Sequence, residues 1–285
     1  MSDLVKYLFE TNAFRVCEEN KPFWYTSGKI GPFYINTQFL YGSEKEATDL
    51  LDYINTILED KINLPSKVFE KVEKQYQENS IYQYTINQLV NYIKENINID
   101  EIDYISGGER RDWFFSNIVA NILNKKHLTI YKDLTVVESD PKFATTNIVK
   151  NIENKKVLHV ADLVNTASSY TRAWIPVIKE MKGQICWSAV VVDRVQGGKE
   201  VIEGQGIKSL ALLNLDSSLF ETAYQLGRIT DTQLELLNNY RKNPDVCMKE
   251  FLINHPEFLE NALKSDPKTA SRAKNCIDND LYNLK

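Results

Sequence analysis

Residues 156–169, KVLHVADLVNTASS, constrain the fold more than any other stretch of the chain. An apolar run meets an acid, passes through small hydroxylated residues and enters a helical pattern that continues from Ser169 to Met181. In a parallel sheet, a strand of this kind ends at the crevice where ligands bind. Small side chains let backbone N–H groups converge on a phosphate, and hydroxyls with a helix start add further donors. Asp162 contributes a carboxylate able to accept hydrogen bonds from ribose hydroxyls. The same pattern also describes a plain strand–turn–helix connection capped by a serine. The surrounding segments have to decide between the two.

Those segments alternate. Strands are expected at 103–106, 128–131, 156–160, 187–193 and 209–215, with helices at 44–60 and 112–123 among others. Alternation of this kind implies an α/β fold with a mostly parallel central sheet flanked by helices. Leu4, Val5, Leu8 and Phe14 give the first twenty residues an amphipathic helical spacing. Residues 21–36 turn aromatic and glycine-containing, as in a strand or hairpin-like segment. Residues 65–100 read as two helices, and residues 133–147, aperiodic and containing Pro141, as a mobile loop. Helical signals recur at 231–241, 245–254 and 256–263. The expected organisation is a domain over 1–225 with a helical insertion at 65–100, followed by a C-terminal helical extension over 226–285.

Charge and cysteine usage narrow the function. A chain of 285 residues with a formal net charge of -5 lacks the basic surface that nucleic acid or an anionic membrane requires. Cys17, Cys186, Cys247 and Cys276 are scattered and form no ligand cluster, which fits reduced thiols in a cytoplasmic protein. No apolar run reaches the roughly 20 residues needed to cross a bilayer, and the N-terminus does not read as a signal peptide. His127, His159 and His255 are dispersed, and His159, in mid-strand, reads as a packed core residue.

Residues 160–169 resemble the motif by which type I phosphoribosyltransferases bind 5-phosphoribosyl 1-diphosphate (PRPP). Three further segments resemble orotate phosphoribosyltransferases, in the same order along the chain. These are YTSGKIGPFYIN at 25–36, ISGGERR at 105–111 and VDRVQGG at 192–198. The resemblance covers about residues 1–225. It implies the type I phosphoribosyltransferase fold with an N-terminal hood and extra helices. It also implies transfer of a pyrimidine base such as orotate onto PRPP, giving a nucleotide and pyrophosphate.

The resemblance assigns roles. Asp162 would contact the ribose, and Asn165, Thr166, Ala167, Ser168 and Ser169 would hold the 5′-phosphate. Arg110 and Arg111 would take the diphosphate beside the turn at Gly107 and Gly108. Lys132 would join Arg110 and Asp162 as catalytic residues. Phe33 and Tyr34 would enclose the base, and Arg194 would hold its carboxylate. Mg²⁺ would arrive with PRPP rather than on ligands of its own, and the active unit would be a homodimer. The sequence departs from the family pattern at Ala161, where the motif has its first acid, at Asn165 in place of Thr, and at Ala167 in place of Gly. The loop at 133–147 carries Asp133, Glu138 and Asp140 but only Lys142 as a base, where the family brings several cations over the pyrophosphate. Acids there would oppose a bound diphosphate, which leaves a second expectation open: a catalytically silent protein of the same fold that binds PRPP or a nucleotide.

Overall fold

The computed structural model describes residues 2–284. The chain divides into two compact units. One comprises residues up to Phe9, Phe14–Asn36 and everything from Asp216 onward; the other comprises Glu10–Ala13 and Thr37–Leu215.

In the first unit, helix Ser2–Glu10 buries Leu4, Val5 and Leu8. It ends well before the twentieth residue, because the polar turn at 11–13 hands the chain to strand β1 (Phe14–Val16). Three more short strands follow: β2 (Phe23–Trp24), β3 (Ile30–Gly31) and β4 (Phe33–Ile35). β1 pairs antiparallel with β4, and β2 with β3. Five helices complete the unit: Ser217–Gln225, Asp231–Lys242, Pro244–Asn254, Glu257–Leu263 and Pro267–Asp278. The last of these had no counterpart in the sequence reading, although Asp266 caps it through the N–H groups of Lys268 and Thr269. Aromatic packing joins the strands to these helices. Phe14 stacks on Phe220 at 6.2 Å between ring centroids, and Trp24 on Phe258 at 5.6 Å. Lys29 and Asp245 form an ion pair, and the Ile30 N–H donates to the Tyr282 hydroxyl at 2.8 Å.

The second unit is built on seven strands. They are β5 (Tyr104–Gly108), β6 (Lys126–Ile130), β7 (Val136–Ser139), β8 (Thr146–Ile148), β9 (Lys156–Val164), β10 (Gln184–Asp193) and β11 (Lys208–Asn214). Their order across the sheet is β11-β10-β9-β5-β6-β7-β8. The five strands from β11 to β6 run parallel, while β7 and β8 add an antiparallel edge. This is the mostly parallel α/β sheet that the alternation predicts. Strands covered on both faces become continuous apolar runs, and Ala189–Val192 of β10 are all fully buried. Helix Trp113–Ile122 packs on β5, β6 and β9, Ser80–Asn96 on β10 and β11, and Ile175–Glu180 on β10. Trp174, Val177 and Ile178 meet Leu128, Val157 and Val190 in one apolar core.

The predicted pair of helices in the 65–100 insertion is present as Leu64–Glu78 and Ser80–Asn96. The segment read as a mobile loop at 133–147 is instead the β7–β8 hairpin. Its tip is fixed, because Phe143 is buried and stacks on Phe69 of the insertion, and Asn121 donates to the Pro141 carbonyl. Pro141 thus turns a hairpin rather than marking an unstructured connection.

Candidate functional site

Two strand ends in the second unit build the site. β9 ends at Val164 and opens into the loop 165–169, from which a wide π-helical turn over Tyr170–Trp174 continues into helix Ile175–Glu180. Next to it, β5 ends at Gly108 and turns through Glu109, Arg110 and Arg111 into helix Trp113–Ile122. A cavity of about 410 Å³ lies at these ends. Arg110, Arg111, Lys132, Asp162, Asn165, Thr166, Ala167, Ser168 and Ser169 all line it. Every residue assigned to PRPP by the sequence is therefore brought to one place.

The loop is braced from outside itself. Arg194 donates its N–H to the Val164 carbonyl at 2.9 Å, and Thr171 donates to the Ala167 carbonyl at 3.1 Å. None of the turn and loop hydrogen bonds of the described residues is donated by a backbone N–H of residues 165–169. Asn165, Thr166, Ser168 and Ser169 are exposed. Such a loop, with donors unspent at a helix start, favours an anion. Gly198 lies so close that an added Cβ would sit 2.3 Å from the Asn165 carbonyl oxygen. Ala167 adopts φ 55°, in the left-handed region where the family has glycine.

The second turn is held as tightly. The Glu109 N–H donates to the Ile130 carbonyl at 2.9 Å, and Trp113 Nε1 donates to the Gly107 carbonyl at 3.0 Å. The Lys132 N–H donates to Glu109 Oε2 at 3.0 Å, and Lys132 Nζ lies 3.9 Å from Glu109 Oε1. Gly108 meets the indole of Trp174, where an added Cβ would fall 2.2 Å from the ring. Glycine is required here by close approach.

Asp112 is the residue the sequence reading missed. It lines the same cavity. Its Oδ1 accepts from the Asp162 N–H at 3.1 Å and its Oδ2 from the Gly108 N–H at 2.9 Å. Burial and the adjoining Asp112 carboxyl push the Asp162 carboxyl up to about 8, with the nearby Arg111 guanidinium opposing. His159 is fully buried behind the pair, with Nε2 3.5 Å from Asp112 Oδ2 and Nδ1 2.9 Å from Ser106 Oγ.

The acids of the β7–β8 region do not crowd the cavity. Asp133 pairs with Lys61, Glu138 with Lys126, and Asp140 accepts from the N–H groups of Lys142 and Thr145 in its own turn. None of the three lines the cavity. Among the described residues, no group of three or more His, Cys, Asp or Glu side chains could hold a metal ion.

None of the base-site assignments lines this cavity. Phe33 and Tyr34 belong to the first unit. There the Phe33 ring packs against Phe14 and Tyr240, and the Tyr34 hydroxyl donates to the Trp24 carbonyl. Arg194 follows β10 in the second unit, one residue beyond Asp193, whose carboxylate accepts the Val195 N–H at 2.7 Å.

No family model matches the chain. Two sequence relatives are both named orotate phosphoribosyltransferase. The one from Sulfolobus acidocaldarius is 23% identical over 163 residues, covering 56% of this chain and 76% of that relative. The one from Pyrococcus furiosus is 42% identical over 71 residues, covering 25% of this chain and 38% of that relative. The fold is similar to that of part of UMP synthase from Leishmania donovani (TM-score 0.56, 16% identity, 83% of this chain and 41% of that one). It is also similar to that of orotate phosphoribosyltransferases from Francisella tularensis (TM-score 0.54, 13% identity, 84% and 98%) and Aeropyrum pernix (TM-score 0.51, 16% identity, 79% and 99%). No helix among the described residues is long and apolar enough to cross a membrane.

Proposed function

We propose that this chain, a phosphoribosyltransferase by its type I fold and by the relatives it matches, joins orotate or a closely related acidic pyrimidine to PRPP and releases pyrophosphate. The observation that carries this reading is the single cavity in which Arg110, Arg111 and Lys132 face the loop 165–169 and Asp162. A phosphate on the loop and a diphosphate at the arginine turn would be the two ends of one PRPP molecule, with Asp162 at the ribose between them.

Transfer at the anomeric carbon builds positive charge on the ribose while the diphosphate departs with negative charge. Guanidinium groups fixed on a rigid turn stabilise that departing charge without reorganisation. Mg²⁺, carried by PRPP, would supply further neutralisation of the leaving group. Lys132, tied to Glu109, adds a third cation at the same end. Arg194 suits a planar carboxylate through paired hydrogen bonds. Assembly as a homodimer belongs to the same reading.

The test is a calorimetric titration of the protein with PRPP and Mg²⁺, followed by addition of orotate and an assay for pyrophosphate. Binding and orotate-dependent pyrophosphate release are expected. PRPP binding with no release from orotate or any other pyrimidine would sink the activity. Light scattering should give twice the chain mass.

A further inference from the structure

Asp112 occupies the N-cap position of helix Trp113–Ile122, where an aspartate ordinarily accepts an N–H of its own helix. It makes no such bond. Both its oxygens are spent on strand ends: Gly108, where β5 enters the arginine turn, and Asp162, three residues before the phosphate loop. The second of these partners is 50 residues away in sequence. A buried carboxylate is costly unless its hydrogen bonds are well made, and this one takes two backbone donors from two different strands. The groups facing it are Asp162 and His159 on β9 and Tyr170 beyond the loop, while Arg111 on the turn acts on Asp162. Ala161, where the family motif has its first acid, leaves Asp162 as the sole acid of the β9 segment 156–164. Asp112 restores a second carboxyl from another element.

We infer that Asp112 is a positioning residue that couples the diphosphate turn to the phosphate loop, so that a ligand spanning both is held more tightly than its two anionic ends separately. The ligand class is a sugar carrying a phosphate at one end and a diphosphate at the other, and the inference rests on the PRPP reading above. Phosphate on the loop fixes the end of β9. Through Asp162 N–H, Asp112 and Gly108 N–H, that order passes to the arginine turn before the diphosphate arrives, which lowers the cost of ordering it.

Asp112→Asn keeps the size of the side chain but can accept only one of the two N–H groups, since its amide nitrogen is a donor. Calorimetry with inorganic phosphate, pyrophosphate and PRPP with Mg²⁺ gives the readout. The variant is expected to bind phosphate within twofold of the wild type and to lose at least tenfold in PRPP affinity. An unchanged ratio of PRPP to phosphate affinity would overturn the coupling. Hydrogen exchange on the wild-type protein needs no variant. Inorganic phosphate should slow exchange at 165–169 and also at Glu109, Arg110 and Arg111; protection confined to 165–169 would equally overturn it. If wild-type protein binds none of the three anions, the PRPP reading itself fails, an outcome distinct from both.

Discussion

The rings of Phe69 and Phe143 stack face to face, with centroids 4.5 Å apart and planes within 9° of parallel. This contact pins the tip of the β7–β8 hairpin to helix Leu64–Glu78, and the His127 ring also packs on Phe143 at 5.4 Å. Removing a buried phenylalanine ring costs about 3–5 kcal/mol. Phe143→Ala is expected to destabilise the protein by that order in urea denaturation. It should also open the segment 133–150 to limited proteolysis at sites protected in the wild type. An intact hairpin with a loss below about 1 kcal/mol would show that the stack is not what fixes it.

Asp162 makes stability depend on pH. Its carboxyl is raised from the ordinary 3.8 to about 8, first by burial and then by Asp112. The folded chain therefore keeps a proton that the unfolded chain releases between about pH 4 and pH 8. The contribution of this group to stability falls across that window as pH rises, and levels off above it. Asp162→Asn removes the titration. The melting temperature of the wild type, measured against that variant, should drop steadily from about pH 5 to pH 8; parallel profiles would place the proton elsewhere.

The left-handed conformation of Ala167 costs a non-glycine residue about 1–2 kcal/mol. Glycine relieves that strain but loses more entropy on folding. Ala167→Gly is expected to raise stability by up to about 1 kcal/mol in urea denaturation and to leave phosphate affinity intact. A clear loss of stability would mean that burial of the methyl group outweighs the strain.

Arg110 and Arg111 line the cavity together with the phosphate loop. Charge-assisted hydrogen bonds contribute about 1.5–3 kcal/mol each, roughly one to two powers of ten in affinity. Arg111→Ala should weaken pyrophosphate binding by about tenfold or more while changing inorganic phosphate binding less than twofold, as read by calorimetry. Equal losses for both anions would merge the two subsites into one.

What was legible in the sequence was local. The strand at 156–164 and the loop after it show themselves because an apolar run, an acid and small residues lie next to one another. The arginine turn shows itself through Gly107 and Gly108 in the same way. Asp112 does not, because its meaning lies in Asp162, fifty positions on, and locally it looks like an ordinary helix cap. The β7–β8 hairpin was read as a loop because its charged and proline-containing sequence hides short strands. Their order comes from pairing with β6 and from Phe69, and neither is visible within the segment. The helix Ser2–Glu10 was read too long because Phe14, in register with the helical apolar positions, belongs to a strand that pairs with β4.

The division of the chain has a consequence for its synthesis. The seven-stranded unit is nearly continuous, from Thr37 to Leu215, and lies between the two halves of the other. Lys29 meets Asp245 across 216 residues of sequence. At about 5–20 residues per second on the ribosome, the aromatic strands around Trp24 and Phe33 wait on the order of ten to forty seconds for Phe220, Tyr240 and Phe258 to emerge. During that interval the sheet can close by itself, but the earliest-made aromatic surface stays uncovered. The nascent chain is thus exposed to aggregation, and in need of a chaperone, through strands 14–35 until the helices after Asp216 are made.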